Sequence, residues 1–318
     1  MTTPHPAPAR YAVLGGTGFI GRLLGDRLLE QGIEVLSVAR KAPEVPAPGR
    51  FAAFDLSTAD PAELAELFDR ERIDTVVNAA GGMWGLTDEQ MHEANVVLTE
   101  RLIEAVAAMA APARLVHLGS VHEYGMAPVG VSQHEQDEPA PVMEYGRLKL
   151  AATEAVVRAA ESGRLDAVVL RLGNVVGAGQ PGHSLLGVMA AKLDTARLAG
   201  ATAELSLQPL SAQRDFVDLI DTLDAVQLAA EGLAAGRRVP PVLNIGSGSA
   251  AAARQLVDLL IEESGVPTAV TEVPAPEGTG PETEWQQMDV LAARDHLGWV
   301  PKRSLRQSVR ALWQAQTA

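Results

Sequence analysis

Tyr145 and Lys149 stand four residues apart in the run Tyr145-Gly146-Arg147-Leu148-Lys149. On a helix that spacing puts both side chains on one face, one turn apart. A phenol holds its proton up to a pKa of about 10, too high for easy exchange at neutral pH. A neighbouring ammonium favours the phenolate, so Lys149 is expected to lower that value. The pair then gives a proton to, or takes one from, a carbinol oxygen. Ser120 lies just past a predicted strand, at the edge of a sheet where ligands bind, and its hydroxyl can hold the same oxygen. Tyr-x-x-x-Lys alone recurs on ordinary surface helices. Its place in order, after a glycine-rich turn and Ser120, is what points to chemistry.

That turn reads Gly15-Gly16-Thr17-Gly18-Phe19-Ile20-Gly21. It sits between the apolar run Tyr11–Leu14 and a helical spacing of Phe19, Ile20, Leu23, Leu24, Leu28 and Leu29. Small residues let a backbone approach a pyrophosphate, and a helix N-terminus offers unpaired N–H groups and a positive dipole end. The spacing is Gly-x-x-Gly-x-x-Gly, and it predicts a dinucleotide held by Gly15, Thr17, Gly18, Phe19, Ile20 and Gly21. The second strand ends Val38-Ala39-Arg40-Lys41. No acid stands there to accept from a ribose 2′-hydroxyl, and two cations follow that would attract a 2′-phosphate. NADP(H) is therefore expected in preference to NAD(H), on Arg40 and Lys41; the bland alternative is a solvated basic loop. Asp55 and Leu56, after the third strand, are expected beside the adenine.

Strands are expected at 11–14, 33–38, 51–54, 75–78, 114–118 and 167–171, with helices at 19–31, 61–72, 87–109 and 144–161 between them. This alternation predicts parallel βαβ units: an α/β, Rossmann-type, doubly wound sheet. Asp60 is the expected cap of the helix opening at Pro61. Past residue 172 the rhythm loosens, with helices expected near 184–199, 218–232 and 250–264 and a strand at 242–245. The expected organisation is a disordered lead-in over 1–9, a dinucleotide-binding domain over 10–172 with a return segment near 214–245, and a smaller C-terminal substrate-binding region over 173–213 and 246–318.

The charge balance of 26 basic against 40 acidic residues gives −14 and speaks against nucleic acid or anionic membrane as partner. The absence of cysteine removes disulfides, thiolate nucleophiles and cysteine-held metal clusters. His92, His117, His122, His134 and His296 show no ligand spacing, so no metal is expected. The first residues lack the basic and apolar regions of a signal peptide, and no apolar run is long enough to span a membrane. A cytoplasmic protein is expected.

Together with Asn78-Ala79-Ala80-Gly81, Asn95-Val96, Gly119-Ser120, Tyr124-Gly125, Arg171-Leu-Gly-Asn174-Val-Val-Gly177, Arg214-Asp-Phe-Val217, Asn244-Ile-Gly-Ser-Gly248 and Leu297-Gly-Trp-Val-Pro301, these motifs resemble the extended short-chain dehydrogenase/reductase family, also called the NAD-dependent epimerase/dehydratase family. The resemblance implies a catalytic triad of Ser120, Tyr145 and Lys149, with Lys149 also on the nicotinamide ribose. It implies cofactor contacts from Asn78, Ala79, Ala80 and Asn95, and substrate contacts from Asn174 and Arg214 to sugar and phosphates. It also implies a homodimer built on helices near 96–109 and 145–161.

Within that family the 4,6-dehydratases carry Asp-Glu directly after the active-site hydroxyl residue. Val121 and His122 stand there, so dehydration is disfavoured. The epimerase–reductase type resembling GDP-fucose synthase uses a cysteine, which is lacking. The stretch from Gly179 to Asp218 is similar to GDP-4-keto-6-deoxymannose reductases. The expected activity is ketoreduction of a nucleotide-activated keto-deoxysugar, or a related secondary-metabolite carbonyl. The alternatives are an NAD-retaining nucleotide-sugar epimerase and a non-catalytic dinucleotide sensor. Gly82, Met83, Trp84, His122 and His183 are further candidates for substrate contact. Met83 and Trp84 could equally be core or lid, and His117 reads as a satisfied core residue. Glu277 stands where many family members carry an arginine for the diphosphate.

Overall fold

Parallel strands covered on both faces need near-continuous apolar runs, and the central strands have them. The structure is a computed structural model and describes residues 9–274 and 284–318. Its first half runs β1 (Arg10–Leu14), α1 (Phe19–Glu30), β2 (Glu34–Ala39), β3 (Arg50–Ala53), α2 (Pro61–Glu71), β4 (Thr75–Asn78), α3 (Asp88–His92), α4 (Leu98–Ala108), β5 (Arg114–Ser120), α5 (Glu144–Glu161) and β6 (Asp166–Leu172). There follow β7 (Asn174–Val176), α6 (Leu185–Ala199), β8 (Ala203–Leu207), β9 (Gln213–Asp218), α7 (Leu219–Ala234), β10 (Val242–Ile245), β11 (Ala250–Ala252), α8 (Ala253–Ser264), β12 (Thr268–Glu272), α9 (Leu291–Leu297) and α10 (Leu305–Thr317).

Seven strands form one sheet in the order β10-β6-β5-β4-β1-β2-β3. The pairings from β5 across to β3 are parallel, with Leu14 opposite Val38 on one side and Asn78 on the other. The order reverses direction between β1 and β4, the topological switch point where ligands bind in such sheets. Two smaller sheets, β11-β9-β7 and β12-β8, complete the strands.

The chain divides into two compact units. The first comprises the residues through Glu123, Met143–Arg171 and Val226–Leu243; the second comprises Tyr124–Val142, Leu172–Ala225 and Asn244–Ala318. The first has a core of Leu14, Leu36, Val38, Phe68, Val76, Leu102, Leu115 and Val169. Leu193, Leu205, Val257, Leu260, Val309 and Trp313 form the core of the second. The lead-in expected over 1–9 lies, but for Ala9, outside the described residues.

Three expectations need correction. The helix expected over 87–109 is interrupted by a π-helical turn at Glu93–Val97. Its cause lies in side chains that compete for backbone carbonyls: Asn95 Nδ2 donates to Met91 O at 2.7 Å, and Thr99 Oγ1 donates to Asn95 O at 2.7 Å. The fifth strand runs on to Ser120 rather than stopping at Leu118. Residues 250–252 pair antiparallel with Gln213–Asp215 instead of starting a helix, so pairing overrides the helix preference of three alanines.

Candidate active site

Ser120 ends β5, and Tyr145 and Lys149 lie in the first two turns of α5. The backbone N–H of Ser120 donates to Glu123 Oε1 at 2.8 Å, and Ser120 Oγ accepts from His122 N–H at 3.2 Å. A hydrogen bond joins Ser120 and Tyr145. The His122 ring stands edge-on to the Tyr145 ring, centroids 6.0 Å apart. Lys149 is buried and its Nζ donates to Leu118 O at 2.5 Å. Ser120, His122, Tyr145 and Lys149, widely separated in sequence, are thus brought together.

The acid–base balance differs from the sequence expectation. Burial, reinforced by the Glu123 charge, pushes the Tyr145 phenol up to about 12, while its hydrogen bond with Ser120 works the other way. Burial likewise draws the Lys149 ammonium down to about 8, against the pull of Glu123. The expected lowering of the phenol by Lys149 is not found: the one lowering influence on Tyr145 is its hydrogen bond with Ser120. Both groups are taken out of water, and desolvation favours the neutral form of each.

Glu123 was not expected here. It is wholly buried and accepts from Thr153 Oγ1 at 3.0 Å and Arg171 Nε at 2.6 Å as well as from Ser120. The available signal was Arg171 inside the apolar run of β6, since a cation in a buried strand needs a buried acid.

A cavity of about 850 Å³ opens at the switch point, within the first unit. Gly15, Thr17 and Gly18 line it, as do Arg40, Lys41, Asp55, Leu56, Ala79 and Ala80. Ser57 and Thr58 also line it and escaped the sequence reading. Gly18 caps α1 without a side chain, and the first turn holds no acid, so the N–H groups and the dipole end are open to an anion. A Cβ on Gly21 would meet Gly15 O at 2.3 Å, and one on Gly15, at φ +71°, would meet Ala79 O at 2.8 Å. These contacts hold loop, helix and strand close enough for backbone to cradle a pyrophosphate. The cavity therefore fits a dinucleotide, with Phe19, Ile20 and Gly21 supplying the start of the helix.

Asn78 and Asn95, expected to contact the cofactor, are placed by internal hydrogen bonds beside the loop after β4. Asn78 Oδ1 accepts from Ala80 N–H at 3.2 Å, and its Nδ2 meets His117 Nδ1 at 3.0 Å. Asn95 Nδ2 donates to Gly82 O at 2.9 Å. Both are buried braces for the loop after β4, and neither is among the residues lining the cavity. Met83 packs with Leu86 against Met91, Val96 and Leu148, which is the core alternative; Trp84 is 64% exposed.

In the second unit, Asn174 Nδ2 donates to Asp215 O at 3.1 Å. Arg214, expected to meet phosphates, forms an ion pair with Glu284 and approaches Met126 Sδ at 3.3 Å. His183 is exposed in the loop before α6. Glu277 lies outside the described residues.

Residues 11–246 match the model of the "NAD dependent epimerase/dehydratase family". The chain belongs to that family, and it is an NAD(P)-dependent oxidoreductase of the short-chain dehydrogenase/reductase type. It is 78% identical over 317 residues, covering 100% of this chain and 98% of the other, to a dTDP-6-deoxy-L-talose 4-dehydrogenase (NAD(P)(+)) of Kitasatospora kifunensis. A UDP-glucose 4-epimerase of Azospirillum brasilense is 27% identical, with 95% of this chain and 90% of that one covered. Among solved structures, MoeE5 in complex with UDP-glucuronic acid and NAD superposes with a TM-score of 0.79 at 28% identity, covering 96% of this chain and 98% of that one. Among the described residues, no helix is long and apolar enough to cross a membrane.

Proposed function

We propose that this protein transfers hydride between NADP(H) and C4 of a dTDP-linked 6-deoxyhexose, working as a ketoreductase on the 4-keto sugar. The observation that carries this reading is the 78% identity, end to end, to a dTDP-6-deoxy-L-talose 4-dehydrogenase. The intact Ser120, Tyr145 and Lys149 constellation supports it.

Gly15, Thr17, Gly18 and the first turn of α1 would hold the cofactor's pyrophosphate, with Asp55 and Leu56 beside the adenine. Arg40 and Lys41, with Ala39 in place of an acid, favour a 2′-phosphate. When bound, the nicotinamide supplies or accepts the hydride. Tyr145 gives its proton to the C4 oxygen in reduction and takes it back in oxidation. Ser120 and Tyr145 together hold that oxygen as its charge develops, and Lys149 contributes a buried cation beneath the pair. Asn174 and Arg214 are the second unit's candidates for sugar and phosphate, and Glu284 competes for Arg214. By the family's habit the active form is a homodimer through α4 and α5.

The test is to incubate the purified protein with the 4-keto sugar nucleotide and either NADPH or NADH. The reading requires one equivalent of oxidised cofactor per alcohol formed, faster with NADPH. A second reading, epimerisation on a retained NAD, draws on the resemblance to UDP-glucose 4-epimerases. It requires C4 inversion with no net change in added cofactor.

A further inference from the structure

We propose that Glu123 is a positioning residue for this site: its carboxylate locks the backbone of Ser120 and, paired with Arg171, sets the field in which Tyr145 moves its proton. The inference rests on the reading above that Tyr145 is the acid–base group. Three elements converge on this one side chain. Oε1 accepts from Ser120 N–H at the end of β5 and from Thr153 Oγ1 on α5, at 2.8 and 3.0 Å; Oε2 accepts from Arg171 Nε on β6 at 2.6 Å. Thr153 follows Lys149 by four residues, as Lys149 follows Tyr145, so one stripe of α5 carries all three. The ion pair is sealed, with side-chain exposures of 5% for Arg171 and 0% for Glu123. The neighbouring position is adapted to it, because a Cβ on Gly119 would stand 2.7 Å from Glu123 Oε1.

A sealed ion pair is a poor source of net stability. Its placement, one bond from Ser120 N–H, suits it to fixing the site. The charged and titratable groups around Tyr145 are Glu123 and His122 from the turn after β5, Arg171 behind Glu123, and Lys149 on its own helix, with Glu144 and Arg147 paired to each other at the solvent side. A negative charge here keeps the phenol protonated. Ketone reduction uses the protonated phenol and alcohol oxidation the phenolate, so removing the charge moves both pH limbs downward.

The test compares Glu123→Gln and Glu123→Asp with the unaltered protein, saturated with NADP+ or NADPH. Glu123→Gln keeps shape and acceptor but loses charge, and its pH–kcat limb is expected about one unit lower. Glu123→Asp keeps charge but shortens the reach to Ser120; its kcat is expected about tenfold down, with the limb unmoved and KM for NADPH unchanged. Should Glu123→Gln fail to fold, the pair E123Q/R171M, which leaves no lone buried cation, takes its place. Tyrosinate absorbance, read as the difference from Tyr145→Phe, follows the phenol without turnover. A phenol that moves in the Gln variant while the rate limb stays put upholds the role of Glu123 and overturns Tyr145 as the acid. Limbs and phenol both unmoved overturn the role of Glu123.

Discussion

Tyr145 is the proposed acid–base group, its phenol hydrogen-bonded with Ser120. Tyr145→Phe removes one hydroxyl and keeps the ring against His122. Turnover is expected to fall by about 10²–10⁴, the usual contribution of a positioned acid or base. Cofactor affinity, measured by fluorescence titration, should hardly change; a loss of affinity with the rate intact would contradict the role. Arg40→Ala tests the other end of the dinucleotide. The KM for NADPH should rise about tenfold or more, as expected for one charge-assisted contact, and that for NADH should stay put. Equal effects on both cofactors would make Arg40 an ordinary loop cation. The grouping of Ser120, Tyr145 and Lys149 was legible because helix spacing and strand order place it. Glu123 was not legible, because nothing in Ser120-Val-His-Glu-Tyr says which way the carboxylate turns. The direction follows from Arg171, forty-eight residues away in sequence.

At the scale of elements, the Gly-rich turn depends on close packing of backbone. Gly21→Val would drive a branched side chain into Gly15 O, which already stands 2.3 Å from an ideal Cβ. The expected outcome is loss of NADP(H) binding together with a lower Tm, read by titration and thermal melt. Wild-type affinity in that variant would mean the turn does not cradle the cofactor. The main sheet was readable from its apolar runs, since buried parallel strands need them. β7 and β11 were not, being three residues each and specified by pairing with β9. At the π-helical turn Glu93–Val97, Asn95 Nδ2 also reaches Gly82 O, thirteen residues earlier, a contact that no helical pattern encodes.

The second unit offers a prediction for the molecule's response to pH. Glu263 on α8 takes Arg306 and Arg310 of α10, and their hydrogen bonds hold its carboxyl down to about 2. Its folded pKa lies below its ordinary value of 4.5. The contribution to stability is therefore complete above pH 4.5 and lost as pH falls through 2. Glu263→Gln should lower Tm at neutral pH, with the gap to the unaltered protein closing in acid. A gap independent of pH would show that packing, not charge, joins α8 to α10.

Net hydride transfer at C4 of a dTDP-linked 6-deoxyhexose is the activity proposed for this protein. Its most direct test is to supply dTDP-6-deoxy-L-talose and NADP+ to the purified protein, and to follow reduced nicotinamide by absorbance and the sugar by NMR. One equivalent of NADPH per 4-keto sugar is expected, with the Tyr145→Phe protein silent. Inversion at C4 without accumulation of NADPH, or NADPH formed undiminished by Tyr145→Phe, would contradict it.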